Sequence, residues 1–472
     1  MALLSAIFSL SRTLDIRDYG AVAGTTAGNA SVVNCGALTT ALNAALPGDT
    51  VLVTNGSYYC RGGLALSNLR SVTLQLDGTL IAAAEYDDWP VGDGSNYDGF
   101  LTFSNADNLT IRGAAGAGAA GVSIDGRGKG WWNRAILPQL FGKLKGKRPK
   151  LLKVINSTRV VVERLTMLNS PSFHLLLTDV AHVEVGWVNI TVDRAAQAPL
   201  RDALRVRRLS DNGGDANGFD GDAHGGGDAN GGLEIEDLNT DGIDPSGRDV
   251  WVHDSYVLND DDSIAVKPCS ADKCEQSGCS QDMLFERLTL TGVGASIGSV
   301  PPHAPSPHCV RNITFRGLYM PQTAKGIYIK SNPSCGGAHG ANASAIVEDI
   351  LYEDIHIVEP RWWAVWIGPQ QQQEPGVPLG EKCALDYPLQ KHCPTQGCVT
   401  MRNITLRNVR IERPLLSPGV ILGNASNPIG LAFENVTVDA PGAFPFGKGF
   451  ECEHASGTAA ASSPVPPCLT PR

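Results

Sequence analysis

The sequence has few charged residues, few aromatic residues and no long apolar run. Only 18% of its 472 residues are charged, and 6% are aromatic. No stretch approaches the roughly 18 consecutive apolar residues of a membrane-spanning helix, so we expect no membrane partner. The formal net charge of −10 argues against a general nucleic-acid or polyanion binder. An acidic substrate would therefore need a local basic site.

The cysteines lack the CxxC spacing of zinc sites. Three of the 12 cysteines, Cys269, Cys274 and Cys279, repeat every 5 residues, which favours disulfides over a metal site. The sequence also contains 10 Asn-x-Ser/Thr sequons, which are typical of secreted chains. The first residues, MALLSAIFSLSR, have an apolar centre but no basic start, as in a clipped or atypical signal peptide. We therefore predict a secreted or cell-wall protein with disulfides, N-linked glycans and no bound metal.

Helix signals are scarce after the first 50 residues. One helix is predicted from Cys35 in CGALTTALNAALPGD, and Pro47-Gly48 should end it. Short alternating runs bounded by Gly, Asn or Asp then recur, and the phrase Asn-apolar-Thr begins at Asn108, Asn189, Asn312, Asn403 and Asn435. Self-similar strands with turn asparagines favour a coiled stack of strands. A β-sandwich would explain the alternation but not the repeated phrase.

One acidic stretch, residues 239–267, carries the chemistry that we expect. NTDGIDPSGRDVWVHDSYVLNDDDSIAVK places Asp241 20 residues before Asp261, which lies in the run Asp260-Asp261-Asp262. That spacing is about one turn of a solenoid, and adjacent strands lie about 4.8 Å apart. Grouped carboxyl groups are used to hydrolyse glycosidic bonds, one protonating the leaving oxygen and another activating water or attacking carbon. A solvated acidic turn and a calcium site are the alternatives.

Two loops and the two ends complete the organisation. Residues 141–150 are rich in lysine and arginine, and form either a solvated loop or a basic lip for an acidic polymer. Residues 211–232 are Gly/Asp/Asn-rich and are predicted to be a flexible insertion. We expect a signal remnant at residues 1–12, one domain at 13–450 and a tail at 451–472.

Several short motifs, taken in their order along the chain, resemble those of the polygalacturonase family of glycoside hydrolases. They run from about residue 14 to about residue 440 and are DYGAVA, GDTVLV, LDGTL, IDGRGKGWW, Arg148-Pro149, LNSPSFH, NTDGID, DDSIAVK, GVGASIGS and GIYIKS. The resemblance implies an all-β, right-handed parallel β-helix with a short N-terminal helix cap. It implies single-displacement hydrolysis with inversion, with Asp261 as general acid and with Asp241 and Asp262 holding and activating water. It also implies Asn239, Lys267, Tyr328 and Lys330 as substrate-binding residues.

The sequence departs from the family pattern at two places. Val293 replaces a histidine in Gly292-Val293-Gly294, and Tyr328 replaces the arginine of an Arg-Ile-Lys motif that grips a sugar carboxylate. Tyrosine cannot make the two-pronged contact of arginine with a carboxylate. Rhamnogalacturonan hydrolases, which resemble the same family, also depart here, so a substrate other than plain polygalacturonate is expected. His303 and His308 are candidates to replace the missing histidine, although ordinary surface roles are favoured for both.

The sequence thus predicts an inverting glycoside hydrolase acting on a pectic or related acidic cell-wall polysaccharide. We expect it to need no cofactor, to act as a monomer and to bind no nucleic acid. A catalytically weakened carbohydrate-binding protein and a calcium-dependent polysaccharide lyase are the alternatives. Trp362, Trp363 and Trp366 are either a sugar-binding platform or packing residues, whereas Trp131 and Trp132 are predicted to be structural. The sugar, endo or exo action and the disulfide pairing stay open.

Overall fold

The structure, a computed structural model, describes most of the chain. The described residues are 11–26, 29–84, 86–92, 96–114, 121, 123–136, 142–193, 239–272, 274–275, 278–332, 342–373 and 379–472. The Gly/Asp-rich segment 211–232 and most of the signal remnant lie outside them. In these residues, 30 strands and 2 α-helices form, and all paired named strands run parallel. Neither of these helices has the length and apolar character needed to span a bilayer.

The chain winds into a right-handed parallel β-helix, as predicted. Strands, numbered in chain order, stack into three ladders that we name sheets A, B and C. Sheet A contains β1 (Thr13–Asp15), β2 (Thr50–Val53), β5 (Arg70–Leu76), β8 (Asp107–Gly113), β11 (Thr158–Glu163), β13 (Leu175–Gly186), β15 (Ile243–His253), β18 (Ser280–Glu286), β21 (His308–Pro321), β23 (Ala345–Val358), β25 (Val399–Glu412), β27 (Ile429–Asp439), β29 (Ala455–Ala460) and β30 (Thr470–Pro471).

Sheets B and C use shorter strands and parts of the long ones. Sheet B contains β3 (Ser57–Cys60), β6 (Thr79–Ala82), β9 (Ile124–Asp125), β12 (Thr166–Leu168), β14 (Asn189–Thr191), β16 (Tyr256–Leu258), β19 (Thr289–Leu290) and the last residues of β21, β23, β25 and β27. Sheet C contains β4 (Leu64–Ser67), β7 (Leu101–Ser104), β10 (Leu152–Ile155), the first residues of β13 and β15, β17 (Ile264–Val266), β20 (Ala295–Val300), β22 (Lys325–Ser331), β24 (Trp363–Gln370), β26 (Gly419–Leu422) and β28 (Phe450–Glu453).

The core is a stack of inward-facing side chains that repeats from coil to coil. In sheet A the in-register residues Phe285, Phe315 and Tyr352 are fully buried, and their rings stack with centroids 4.8 Å apart. That distance equals the spacing of neighbouring strands. Each coil therefore buries its apolar face against the coils before and after it, which is how a solenoid gains stability.

Two helices cover apolar surface near the N-terminal end. Helix α1 spans Ala30–Ala44 and packs against β3 and β4, burying Leu38, Ala41 and Leu42. It begins five residues before the predicted start and ends three residues before Pro47. Helix α2, Lys129–Ile136, was not predicted because it has only eight residues and includes Gly130. Its tryptophans, Trp131 and Trp132, are fully buried, in agreement with the structural role expected of them.

Four of the five repeated asparagines occupy sharp bends between segments of the coil, whereas Asn189 is the first residue of β14 and lacks a positive φ. Asn108, Asn312, Asn403 and Asn435 all have φ between 50° and 58°, a left-handed conformation that asparagine tolerates better than other non-glycine residues. Their side chains also bond to the coil before, as Asn312 Nδ2 does to Asp282 Oδ1 at 2.7 Å. At these four positions the Asn-apolar-Thr phrase is therefore explained by the geometry of the bends.

Disulfides form, as the cysteine spacing predicted. Described pairs join Cys35 to Cys60, Cys269 to Cys274, Cys279 to Cys309, Cys383 to Cys393 and Cys452 to Cys468. The last pair lies in the segment treated as a tail in the sequence, where β28, β29 and β30 continue the stack beyond residue 450.

Asn408 offers a direct test of the bend interpretation, because it lies outside any sequon. Its φ is 52°, its Nδ2 donates to Asp354 Oδ1 at 3.0 Å, and its Oδ1 accepts from Asn435 Nδ2 at 3.1 Å. Asn408→Ala should lower the free energy of unfolding by about 2 kcal/mol, because it loses both hydrogen bonds and strains the backbone. Asn408→Gly should lose less, because glycine adopts this φ freely. Equal losses in urea denaturation would show that the backbone conformation is not what selects asparagine.

Candidate active site

Sheet C brings the three predicted aspartates together at one end of neighbouring strands. Ile243 pairs with Ile264, so Asp241 and Asp262, each two residues earlier, occupy equivalent positions on adjacent coils. The repeat here is therefore 21 residues, one more than the spacing between Asp241 and Asp261 suggested, and Asp261 is offset by one residue. One carboxylate oxygen from each of the three acids lies within 4.8 Å of the others. Asp241 and Asp262 are buried, whereas Asp261 is partly exposed.

A buried asparagine, which the sequence analysis missed, fixes the two acid-bearing turns to each other. Asn259 Nδ2 lies 3.0 Å from the carbonyl oxygen of Thr240 and 2.9 Å from those of Asp261 and Asp262. Its Oδ1 accepts from Ser263 Oγ at 2.9 Å. The position of Asn259 immediately before the acidic run could have drawn attention to it in the sequence. Its role, however, depends on contacts between coils that only the fold shows.

Glycine is required where the next coil passes this turn. A Cβ on Gly292 would lie 2.2 Å from Asn259 Oδ1 and 2.3 Å from the carbonyl oxygen of Asp261. The neighbouring Val293 N–H donates to that same Asp261 carbonyl oxygen at 2.8 Å. The backbone of the Gly-Val-Gly segment thus supports the acidic turn, whatever side chain residue 293 carries.

Two lysines, the buried Lys330 and the partly exposed Lys267, neutralise the acids. Lys330 Nζ donates to Asp262 Oδ2 at 2.7 Å, and Ser296 Oγ donates to Asp262 Oδ1 at 2.7 Å. Lys267 Nζ lies 3.2 Å from Asp244 and 3.7 Å from Asp241. These contacts place both lysines predicted to bind substrate beside the acids. The sequence analysis missed Ser296 and Asp244, although Asp244 lies in the quoted motif NTDGID.

The environment separates the protonation states of the carboxyl groups. Burial, reinforced by the charges of Asp241 and Asp262, raises the pKa of Asp261 well above its ordinary value. Burial and the charge of Asp244 likewise raise the pKa of Asp241. For Asp262, burial opposes ionisation, but the charges of Lys330 and Lys267 and the hydrogen bonds from Lys330 and Ser296 outweigh it, so its pKa is lowered. The cluster therefore contains at least one retained proton and one ionised carboxylate.

A neutral histidine positions the backbone of the first acid. His174 is fully buried, and burial lowers its pKa to about 4. Its Nε2 accepts from the Ser170 N–H at 3.2 Å, which leaves Nδ1 to donate to the carbonyl oxygen of Asp241 at 3.0 Å. His174 is the last residue of the motif LNSPSFH, but its contact with Asp241 is visible only in the fold.

Tyr328 is buried and lies beside Lys325 and Lys330. Its ring is in contact with Lys325 Nζ at 4.2 Å and Lys330 Nζ at 4.5 Å from the centroid. Burial raises the pKa of its hydroxyl to about 12. Trp363 and Trp366 are buried in the same cluster, and Val293 and Trp362 are partly buried against it. Their contacts favour packing over a sugar-binding platform for Trp363 and Trp366.

The remaining candidates lie at the edges of this arrangement. Asn239 is exposed, and its Nδ2 lies 3.5 Å from Asp261 Oδ2, at the long limit of a hydrogen bond. His303 and His308 stack on each other with centroids 4.7 Å apart. His303 lies 3.6 Å from Asp272, and His308 Nδ1 lies 2.8 Å from the carbonyl oxygen of Pro301. These contacts assign both histidines to the packing of their own loop.

The three acids also have the spacing of metal ligands. Lys330 and Lys267 already place two positive charges at the cluster, at 2.7 Å and 4.0 Å from Asp262. A divalent cation here would face that repulsion. The arrangement is thus better suited to acid and base chemistry than to calcium binding.

Known proteins resemble this chain over most of its length. The family model for glycosyl hydrolases family 28 matches residues 51–462. A probable endo-xylogalacturonan hydrolase A from Aspergillus niger is 26% identical over 336 residues, which cover 71% of this chain and 66% of the relative. A polygalacturonase from Ralstonia solanacearum is 28% identical over 333 residues, which cover 65% of this chain and 56% of the relative. The matches therefore span just under two thirds or less of these relatives' length.

Solved structures show the same fold. The crystal structure of an endo-xylogalacturonan hydrolase from Aspergillus tubingensis matches with a TM-score of 0.55 at 20% identity, covering 98% of this chain and 99% of that one. A polygalacturonase from Erwinia carotovora matches with a TM-score of 0.58 at 19% identity, covering 94% and 95%. Together with the family model, which extends over most of the sequence, these matches show that the chain belongs to glycosyl hydrolases family 28.

Proposed function

We propose that the protein hydrolyses glycosidic bonds in a pectic or related acidic cell-wall polysaccharide, with inversion. The observation that carries the proposal is the carboxyl cluster itself. Three acids lie within 4.8 Å of one another, with the pKa of Asp261 raised and that of Asp262 lowered. A proton donor and a base beside one another are what glycosidic hydrolysis needs.

The geometry supports a division of roles among the acids. Asp261 is the partly exposed member and keeps its proton, so it protonates the leaving oxygen. Asp262 is ionised and accepts the proton of the attacking water. Asp241 Oδ1 is buried without a protein hydrogen bond, so it is available to orient that water. Asn259 and His174 hold the backbone of these residues and therefore act as positioning residues.

Direct attack by water fits the contacts of Asp262 better than attack by the carboxylate. The short distances within the cluster are, by themselves, closer to the roughly 5–5.5 Å of retaining enzymes than to the roughly 6.5–9.5 Å of inverting ones. However, Ser296 occupies one oxygen of Asp262 and Lys330 the other. A carboxylate held in this way is a weak nucleophile but can still accept a proton, which favours a single displacement.

The names of the relatives and the local charge support the proposed substrate class. The matched relatives carry the names endo-xylogalacturonan hydrolase and polygalacturonase, and both names refer to galacturonan chains. Tyr328 replaces an arginine that could bind a sugar carboxylate, and Lys330 is already paired with Asp262. We therefore propose that a modified or branched galacturonan is preferred over plain polygalacturonate. We further propose a secreted monomer in which Asn239 contacts the sugar at Asp261.

Replacing the proposed acid should abolish turnover. Asp261→Asn keeps the shape of the side chain but removes the proton, so kcat on galacturonan substrates should fall by about 10²–10⁴-fold, with circular dichroism unchanged. Reducing-end release is the measurement. Undiminished activity would overturn the assignment of Asp261. If wild-type protein binds pectic oligosaccharides but cleaves none of a broad panel, the Val293 and Tyr328 replacements mark a binding protein instead.

The pH dependence of activity should reflect the pKa values of Asp261 and Asp262 and the effect of Lys330 on both. Activity should rise as pH passes the lowered pKa of Asp262 and fall as pH passes the raised pKa of Asp261. Lys330→Met removes a positive charge that lowers both pKa values, so both limbs of the kcat/KM profile should move to higher pH by about one unit or more. Lys325→Met, on the same strand, is the matched control and should leave the limbs in place. Equal shifts in both variants would contradict the assignment.

The stereochemistry can be read from the first product. Proton NMR of the reaction mixture should show the β-anomer first when an α-linked galacturonan is cleaved, because one displacement inverts the anomeric carbon. The α-anomer in the first spectra would instead require a covalent glycosyl-enzyme intermediate.

A further inference from the structure

A basic cavity lies on sheet C on the N-terminal side of the acids. Its volume is about 340 Å³, and among the described residues it is lined by the cations Lys147, Arg148, Lys150 and Lys153 and by one acidic side chain, Asp98. Among the described residues, none of these four cations forms an ion pair. The described lining residues, four cations and one acid, therefore carry a net charge of about +3, although the protein as a whole has a net charge of −10.

The cavity is close to the catalytic acids and on the same face. Lys153 is in β10, which pairs with β13, which in turn pairs with β15, and Asp241 lies two residues before the start of β15. Two strand spacings of about 4.8 Å place the cavity roughly 10 Å from the acids along the stack. The charges of Asp261 and Asp241 also act on Arg148. A polysaccharide lying along sheet C through the acid cluster would therefore pass this cavity.

Arg148 is a cation without its full set of partners. Its Nη1 is shielded from solvent and makes no hydrogen bond, while the side chain as a whole keeps partial exposure at the cavity. An unsatisfied buried charged group costs free energy that an anionic partner would recover. Arginine is also the residue best suited to a two-pronged contact with a carboxylate.

The neighbouring lysines add to the unfavourable crowding of charge. Burial lowers the pKa of Lys150, and the adjacent positive charges of Lys153 and Lys147 lower it further. An anion in the cavity would relieve this repulsion. By contrast, the lysines beside the acids, Lys267 and Lys330, are already paired with aspartates.

We propose that this cavity binds the carboxylate of a uronic acid unit of the substrate, away from the bond that is cleaved. This inference rests on the proposed function and assigns charge recognition to Arg148 and its neighbouring lysines, in place of the arginine that Tyr328 replaces. Residues 147–150 of the basic run then act as part of a binding site for an acidic polymer, rather than as a solvated loop.

The test compares acidic and neutral ligands in the Asp261→Asn protein, in which hydrolysis cannot interfere. Oligogalacturonides long enough to span the acids and the cavity would be titrated by calorimetry, beside the same oligomers with their carboxyl groups reduced to alcohols. Arg148→Gln should weaken binding of the acidic oligomers by roughly tenfold to a hundredfold, the value of a charged hydrogen bond. Binding of the reduced oligomers should be unchanged. Arg148→Lys should retain part of the preference for the acidic form.

Lys143→Gln is the matched control, because Lys143 is an exposed cation of the same basic run that does not line the cavity. It should change affinity by less than about twofold, as expected for a surface charge. An equal effect of Arg148→Gln on acidic and reduced oligomers, an effect no larger than that of Lys143→Gln, or no binding of acidic oligomers would each overturn the proposal. Charge-dependent binding without wild-type turnover would overturn the proposed hydrolysis while leaving this subsite in place.

Discussion

The structure of the site depends on how the electrostatic repulsion among three crowded carboxyl groups is relieved. With their oxygens within 4.8 Å and little water around them, three negative charges would repel strongly. Lys330 and Ser296 resolve this by favouring the ionised state of Asp262, whereas burial and the remaining repulsion raise the pKa of the neighbouring Asp261. The proposed chemistry therefore depends on charge compensation at one carboxylate and on burial of the other.

The solenoid makes this charge compensation possible because residues that are far apart in the sequence lie next to each other on neighbouring coils. Lys330 and Asp262 are 68 residues apart, yet Lys330 reaches the acid from β22, two strands further along sheet C than β17. Asn259, Gly292 and the Val293 N–H fix the turn at which the acids project. Because each coil is held by its neighbours, these positioning contacts are as rigid as the core that carries them.

The sequence was most informative where a pattern is local. Alternating strands and bend asparagines predicted the coil, and the spacing between Asp241 and Asp261 predicted that acids from adjacent coils would meet. The true repeat is 21 residues, so Asp262 rather than Asp261 is the equivalent of Asp241. Nothing local specified that offset, because it depends on strand register. For the same reason the contacts of Asn259, His174, Ser296 and Asp244 were not predicted, and neither was the burial of Tyr328.

The central claim is that, at the pH of activity, Asp261 carries a proton while Asp262 does not. Neutron diffraction from a deuterium-exchanged crystal would measure this directly. The account predicts deuterium density on a carboxyl oxygen of Asp261, none on Asp262, and three deuterons on Lys330 Nζ. Deuterium on Asp262 with a bare Asp261 carboxylate would contradict it.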